Sequence, residues 1–299
     1  MTLGGRRSAI GRVASGLPVL AALWLFGVWP PPAWWRTHWP RQSAMMRLRG
    51  DAVLYQPSAL SDLPLVLQRM VIIGEDSRFP THHGLDFEEI REALGLDRGA
   101  GVGRTVRTLW SRRDRLRGAS TITQQLAKNL YLSPSRNPLR KLKEAMTAVR
   151  LELALPKDRI LELYLNLVEL GPSVWGMPAA SQHYFAVPVA RLSEDQAAAL
   201  AATLPFPLRS NPAYRSIRML HRRDLILARY HGEDVYIPPE EELLDSLPVL
   251  EFTPPVIPPV IDSLMRDTIT VPLDTVPPDS VRDTTRDSTG GAEPRRRED

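Results

Sequence analysis

From Val13 to Trp35 the chain reads VASGLPVLAALWLFGVWPPPAWW without one charged side chain. No other stretch constrains the fold as tightly, because so much uninterrupted apolar surface has to be covered by lipid or by protein. The helix-compatible part, Val13–Trp29, would rise roughly 26 Å, at the short end for a bilayer span. Pro30, Pro31 and Pro32 then stop a helix. Five of the 7 tryptophans lie between Trp24 and Trp39, as in a ring belt at a lipid–water interface. The expectation is an uncleaved transmembrane helix within 13–35, preceded by a short stub, 1–12. A cleaved signal peptide would want a clear A-x-A site after the apolar run, and none is evident. Arg6, Arg7 and Arg12 precede the span and Arg36, Arg41, Arg47 and Arg49 follow it, so charge alone does not orient it.

The opposite end changes character after His231. Segments such as EFTPPVIPPV and LDTVPPDSVRDTTRDSTGG combine proline, aspartate and threonine with few aromatics. They cannot bury enough apolar surface to offset the entropy of ordering, so 235–299 is expected to be a disordered tail.

Between these ends the apolar positions recur with helical spacing, and strand-like alternation is scarce. Ser61 is expected to cap a helix running through Leu65, Val66, Met70 and Ile73 to Glu75. Asp86 and Glu89 form a capping-box pattern before FEEIREAL, which Gly95 can end. Ser193 and Gln196 repeat that pattern before AAALAATL, and Pro205 stops it. With no cysteine in the chain, disulfides, thiol catalysis and thiolate-bound metals are excluded. The segment 98–117, RGAGVGRTVRTLWSRRDRLR, breaks the rhythm; it reads equally as a solvated loop or as a basic flap against anionic membrane or substrate.

Chemistry-bearing residues collect in three places. In GEDSRFPTHHGLD (74–86) two acids precede two histidines. A metal reading through His83, Asp86 and Glu89 is weak, since Asp86 serves better as a cap and no second histidine cluster supplies ligands; no metal site is expected. His82 is expected to brace the loop. In RGASTITQQLAKN (117–129), Ser120, Gln124 and Lys128 fall at i, i+4 and i+8 and would share one helical face. Thr121, Gln125 and Asn129 would form the adjacent stripe, leaving Ile122 and Leu126 for the core. In SRNPLRKLKEAM (135–146), Arg140 and Glu144 are i, i+4 partners with Lys141 and Lys143 beside them. All four lysines of the chain, Lys128, Lys141, Lys143 and Lys157, fall in this region among 38 basic residues. Arg140, Lys141 and Lys143, combined with Lys128 and Arg136, make a set suited to phosphate oxygens.

On these residues the sequence resembles the monofunctional peptidoglycan glycosyltransferases that polymerise lipid II. Five motifs occur in order: EDSRFPTHHGLD (75–86), GASTITQQLAKN (118–129), RKLKE (140–144), KDRILELYLN (157–166), and a fifth running from WGMPAASQHYF (175–185) through LSEDQAAALAATLPFP (192–207). The resemblance covers about 60–232. Two departures stand out. Val187 occupies a position where the family often has lysine, and the basic insert 98–117 is unusually long. No SxxK with a downstream KTG follows, so the transpeptidase domain of the two-headed relatives is not expected.

The resemblance implies a mostly α, lysozyme-like two-lobed domain over 45–232 and a reaction at a lipid-linked sugar. A GlcNAc 4-hydroxyl of one molecule attacks the anomeric carbon of another, with inversion and release of undecaprenyl diphosphate. An alcohol is a weak nucleophile, so a carboxylate must take its proton; by family position this is Glu75. The departing pyrophosphate needs cations. Lys128, Arg136, Arg140 and Lys141 match that pocket, with Ser120, Gln124 and Asn129 placed to hold sugar or phosphate. Glu144, flanked by cations, is assigned to orienting them or a divalent ion, Mg or Mn, on the diphosphate. Asp76 is read as support. The implied partners are lipid II, the growing lipid-linked strand, the membrane and, through the tail, other cell-wall synthases. The implied location is the bacterial inner membrane, single-pass, with a cytoplasmic stub and the catalytic domain on the periplasmic face. A nucleic-acid role finds no recognition motif. Two rivals differ in chemistry: a glycan-cleaving enzyme, which needs no diphosphate pocket, and a tethered scaffold, which leaves the five motifs unexplained.

Overall fold

Most helices begin at a residue whose chemistry forbids an earlier start. The computed structural model describes residues 24–25, 27–50, 53–95, 120–133, 135, 137–213 and 217–238. In helix α1 (Ala44–Arg49) the Ser43 hydroxyl accepts the Met46 N–H at 3.0 Å. A two-residue strand, β1 (Leu54–Tyr55), and a 3-10 turn, Leu60–Asp62, lead to α2 (Leu65–Glu75). Next come α3 (Phe87–Leu94), α4 (Ile122–Tyr131), α5 (Pro138–Ala154) and α6 (Lys157–Leu167). A small sheet of β2 (Glu169–Gly171) and β3 (Val174–Trp175) follows, then α7 (Met177–Phe185), α8 (Glu194–Thr203) and α9 (Ile217–Tyr230). The described chain is thus mostly helical, as the apolar spacing predicts.

Strand β3 is central, pairing antiparallel with β2 and parallel with β1. Helix α8 is buried on every side because its AAALAA run is narrow, which lets α2, α7 and α9 all pack against it. Helix α4 lies against α1, α5 and α6. Trp175 and Tyr164 are the bulkiest side chains fully enclosed in the core.

Several expectations are corrected. Ser61 does not cap α2: Pro64 holds the N-cap position, and Leu63 before it is extended, as a residue preceding proline must be. Ser61 sits in the separate 3-10 turn. Asp86 does cap α3, accepting the N–H groups of Glu88 and Glu89, but the Glu89 carboxylate turns to Arg78 instead of closing a box. Gly95 ends α3 in the left-handed region, and the Ser193–Gln196 box forms as expected.

The N-terminal and C-terminal boundaries also move. Trp35, assigned to the span, is buried in the domain core, and its indole N–H donates to Tyr131 Oη at 2.6 Å. Trp24, Trp29, Trp34 and Trp39 remain exposed. Residues 235–238, assigned to the tail, fold back on the domain, with Ile237 packed on the core. Residues 1–23, the insert 98–117 and the tail from 239 lie outside the described residues. Among the described residues no helix is long and apolar enough to cross a membrane.

Candidate active site

Helix α2 delivers Glu75 as its last residue and Asp76 as its C-cap. Asp76 is buried, its side chain 3% exposed, and its carboxylate is fully engaged. Its Oδ2 accepts the backbone N–H of Ile122, the first residue of α4, at 2.9 Å. His82 Nε2 lies 2.9 Å from the same carboxylate. The Gly84 N–H donates to His82 Nδ1 at 3.2 Å, so the ring proton sits on Nε2 and points at Asp76. His82 braces the loop, and Asp76 is support, as expected.

Glu75 has two partners. Gln125 Nε2 donates to its Oε2 at 2.9 Å, and Arg222 Nη2 approaches Oε1 at 3.2 Å. Tyr164 Oη donates to Gln125 Oε1 at 2.9 Å. Burial, reinforced by the Glu75 and Asp76 carboxylates and opposed by Arg222, pushes the Tyr164 phenol well above its usual range. The hydroxyl therefore stays protonated, and its donation turns the Gln125 amide so that the NH2 faces Glu75.

The second cluster is built on α5. Asn137 caps that helix and Pro138 opens it, which aims the first turn of RKLKE at the loop before α4. Glu144 is 2% exposed and accepts from Arg140 Nη1 at 2.6 Å and Lys141 Nζ at 2.5 Å. Lys141 also donates to Ser120 Oγ at 2.7 Å. Ser120 stands two residues ahead of Ile122, so one bonded path runs from Asp76 through Ile122 and Ser120 to Lys141 and Glu144.

Of the residues singled out from sequence, Ser120, Arg140, Lys141 and Glu144 come together, and Glu75 connects to them through Asp76 and the start of α4. Ser120 is not on the helical face predicted for it, because α4 begins at Ile122 with Thr121 as N-cap. Gln124 is buried and its Oε1 accepts the Thr121 N–H, closing a capping box. Asn129 is also buried, and Lys128 is half-buried on α4. The core side of α4 is broader than Ile122 and Leu126, taking in Ala127 and Leu130. Arg136 lies outside the described residues. The lysine set divides: Lys143 stands 4.9 Å over the Trp24 ring, and Lys157 pairs with Glu152 over the Phe79 ring. Among the described residues no group of three or more histidines and carboxylates gathers as a metal cage; Asp86 and Glu89 are taken by Arg78.

Sequence reasoning missed Gln125, Tyr164 and Arg222 as neighbours of Glu75. The sequence puts Gln125 on a polar stripe and indicates no partner for it. The Thr121-x-x-Gln124 pattern, readable as a capping box, would have assigned Gln124 to the helix end and left Gln125 to face outward.

The family model described as Transglycosylase matches residues 43–231. A biosynthetic peptidoglycan transglycosylase of Azoarcus sp. (strain BH72) is 40% identical over 207 residues, 66% of this chain and 84% of that protein. Proteins of the same name from Bordetella pertussis and Thiobacillus denitrificans are 40% and 38% identical, over 71% and 73% of this chain and 87% and 91% of their own lengths. The chain therefore belongs to the transglycosylase family, among its monofunctional peptidoglycan glycosyltransferases.

Proposed function

We propose that this peptidoglycan glycosyltransferase extends glycan strands from lipid II, with Glu75 as general base and the Arg140–Lys141 pair receiving the leaving diphosphate. The supporting observation is the bonded path from Asp76 to Glu144, which fixes the two carboxylate motifs in one frame. In the step, the acceptor 4-hydroxyl loses its proton to Glu75 as its oxygen attacks the anomeric carbon. The bond from that carbon to the pyrophosphate oxygen breaks, its electron pair leaves with the diphosphate, and the configuration inverts. Gln125 and Arg222 each donate to one Glu75 oxygen, which fixes the direction in which the carboxylate faces the hydroxyl.

Developing negative charge on the diphosphate calls for preorganised cations. Glu144 holds Arg140 and Lys141 by two charge-assisted bonds, so neither has to search for its place when the substrate arrives. Lys128 and Arg136 belong to the same pocket by family position. One Glu144 oxygen accepts from Arg140 and the other from Lys141, and a divalent ion, Mg or Mn, where used, would rest on the diphosphate beside them. An N-terminal span within 13–29 keeps the domain at the periplasmic face of the inner membrane, where both lipid-linked substrates lie.

The test is polymerisation of purified lipid II by the detergent-solubilised full chain. Glu75→Gln should lower kcat by about 10²–10⁴, the usual contribution of a general base. Lys141→Ala and Glu144→Gln should each reduce kcat/KM. Full activity in Glu75→Gln would remove the base from its role, and a folded wild type that makes no strands would sink the reading altogether.

A further inference from the structure

Arg222 reaches Glu75 from near the end of the domain, across a separation of 147 residues. Helix α9 comes this close to α2 because position 74 is glycine. A Cβ there would meet Ile226 Cδ1 at 3.0 Å and lie 3.9 Å from Arg222 Nη2. The guanidinium is buried, with its side chain 6% exposed. Its Nη2 donates to Gly74 O at 2.5 Å and to Glu75 Oε1 at 3.2 Å, and its Nη1 donates to Pro238 O at 2.9 Å. Its Nε, also buried, has no hydrogen-bond partner among the described residues. Packing alone would favour an apolar side chain here over a buried cation with an orphaned donor. The arrangement makes sense if the guanidinium is needed where it points.

It points at the Gly74 carbonyl, one residue before the end of α2, and at the Glu75 carboxylate that follows. Gln125 holds the other carboxylate oxygen. Glu75 is thus gripped from α4 on one side and α9 on the other, which removes its rotamer freedom. A base that must meet one hydroxyl in one orientation gains from that restriction.

Arg222 is itself held by the root of the tail. After α9 the chain reverses at Gly232, whose φ is +95°. It then runs back along the helix, where Arg229 Nη1 takes Val235 O at 2.9 Å and Ile237 packs on the core. Arg222 and Arg229, two helical turns apart on one face, hold this strap at both ends.

We propose that Arg222 is a positioning residue for Glu75, and that the strap 233–238 keeps it in place. Segments leading to the tail thereby become part of the active site's support. The proposal rests on Glu75 being the base, and the experiment separates the two. Lipid II polymerisation by the full chain is measured for Arg222→Met, Arg222→Lys, Ile237→Asp, Glu75→Gln and the double variant Glu75→Gln/Arg222→Lys. Arg222→Met should lower kcat by about 10- to 100-fold, the scale of a misplaced catalytic group, with KM little changed. Arg222→Lys keeps the charge but cannot serve the Glu75 side and Pro238 together, so it should recover part of that loss. Ile237→Asp, which undocks the strap without touching the site, should lower kcat in the same way but less. Added to Glu75→Gln, the Arg222→Lys change should do nothing further, because it acts through Glu75.

Should Arg222→Met fail to fold, Arg222→Lys and Ile237→Asp carry the test. A raised KM at unchanged kcat in either of them overturns positioning in favour of substrate binding. Wild-type kcat in both, beside an inactive Glu75→Gln, overturns positioning and leaves the base standing. Full activity in Glu75→Gln removes the base and the proposal together.

Discussion

Asp76 accepts the backbone N–H of Ile122 at 2.9 Å, joining the end of α2 to the start of α4 across 46 residues of sequence. The same carboxylate takes the His82 N–H, so one buried side chain secures a helix start and a loop. Asp76→Ala leaves both buried donors without an acceptor, at about 1–3 kcal/mol each. Urea denaturation should show a loss of at least about 2 kcal/mol. A loss within about 0.5 kcal/mol, as for an ordinary surface change, would mean that the junction is held by something else.

Two glycines with positive φ should respond differently to alanine. Gly176, at φ 83° and ψ 152°, occupies a region nearly closed to other residues, and an added Cβ would fall 2.4 Å from Asn166 O. Gly232 has φ +95° but nothing within 4 Å of that point. Gly232→Ala should cost only the backbone strain, about 1–2 kcal/mol. Gly176→Ala should cost about 1–3 kcal/mol more from overpacking. Equal losses in thermal melts would contradict the close approach at Asn166.

Trp35 ties the segment before α1 to the body of the domain. Its indole is 7% exposed and bonds Tyr131, while its carbonyl accepts Arg159 Nε at 2.8 Å. Trp35→Ala should destabilise by about 3–5 kcal/mol. A chain starting at Ser43 should melt well below one starting at Pro30, even though the family match begins at residue 43. Matching melting temperatures would show that Trp35 lends the domain nothing.

Asp86 is held below its ordinary value. Burial pushes its carboxyl up, but the Arg78 Nε–H at 2.7 Å, the Glu89 N–H and the charge of Arg78 outweigh that. Because the folded pKa lies below the unfolded one, the unfolded chain takes up the proton first as pH falls. The stabilisation is complete above the ordinary value of 3.8 and fades as pH drops through the folded one. Glu89 is pushed the opposite way, chiefly by burial, so the wild-type curve alone mixes the two. The Tm gap between wild type and Asp86→Asn isolates Asp86: it should stay constant from pH 7 to about 5 and narrow below about 4. A gap that widens toward acid would reverse the assignment.

Residues whose partners lie nearby in sequence were legible. The Asp86 and Ser193 caps and the Arg140–Glu144 pair all fall within one or two helical turns, where spacing dictates contact. Ser61 failed as a cap because Pro64, three residues on, fixes the helix start more strongly than a hydroxyl can. The surroundings of Glu75 were illegible for a different reason. Gln125, Tyr164 and Arg222 sit on three separate helices, and each reads locally as an ordinary helix residue. Only the packing of α4, α6 and α9 around the end of α2 makes them neighbours.

The segment around Trp35 sets a timetable for biosynthesis. Trp35, Arg36 and strand β1 find their partners at Tyr131, Ala154, Arg159 and Val174–Trp175. The side-chain and carbonyl contacts among these span 96 to 124 residues. A ribosome adding about 5–20 residues per second leaves this tryptophan-bearing segment undocked for on the order of ten seconds after its own synthesis. During that interval its indoles are open to whatever apolar surface is nearest, and the domain cannot close its core until β3 has been made.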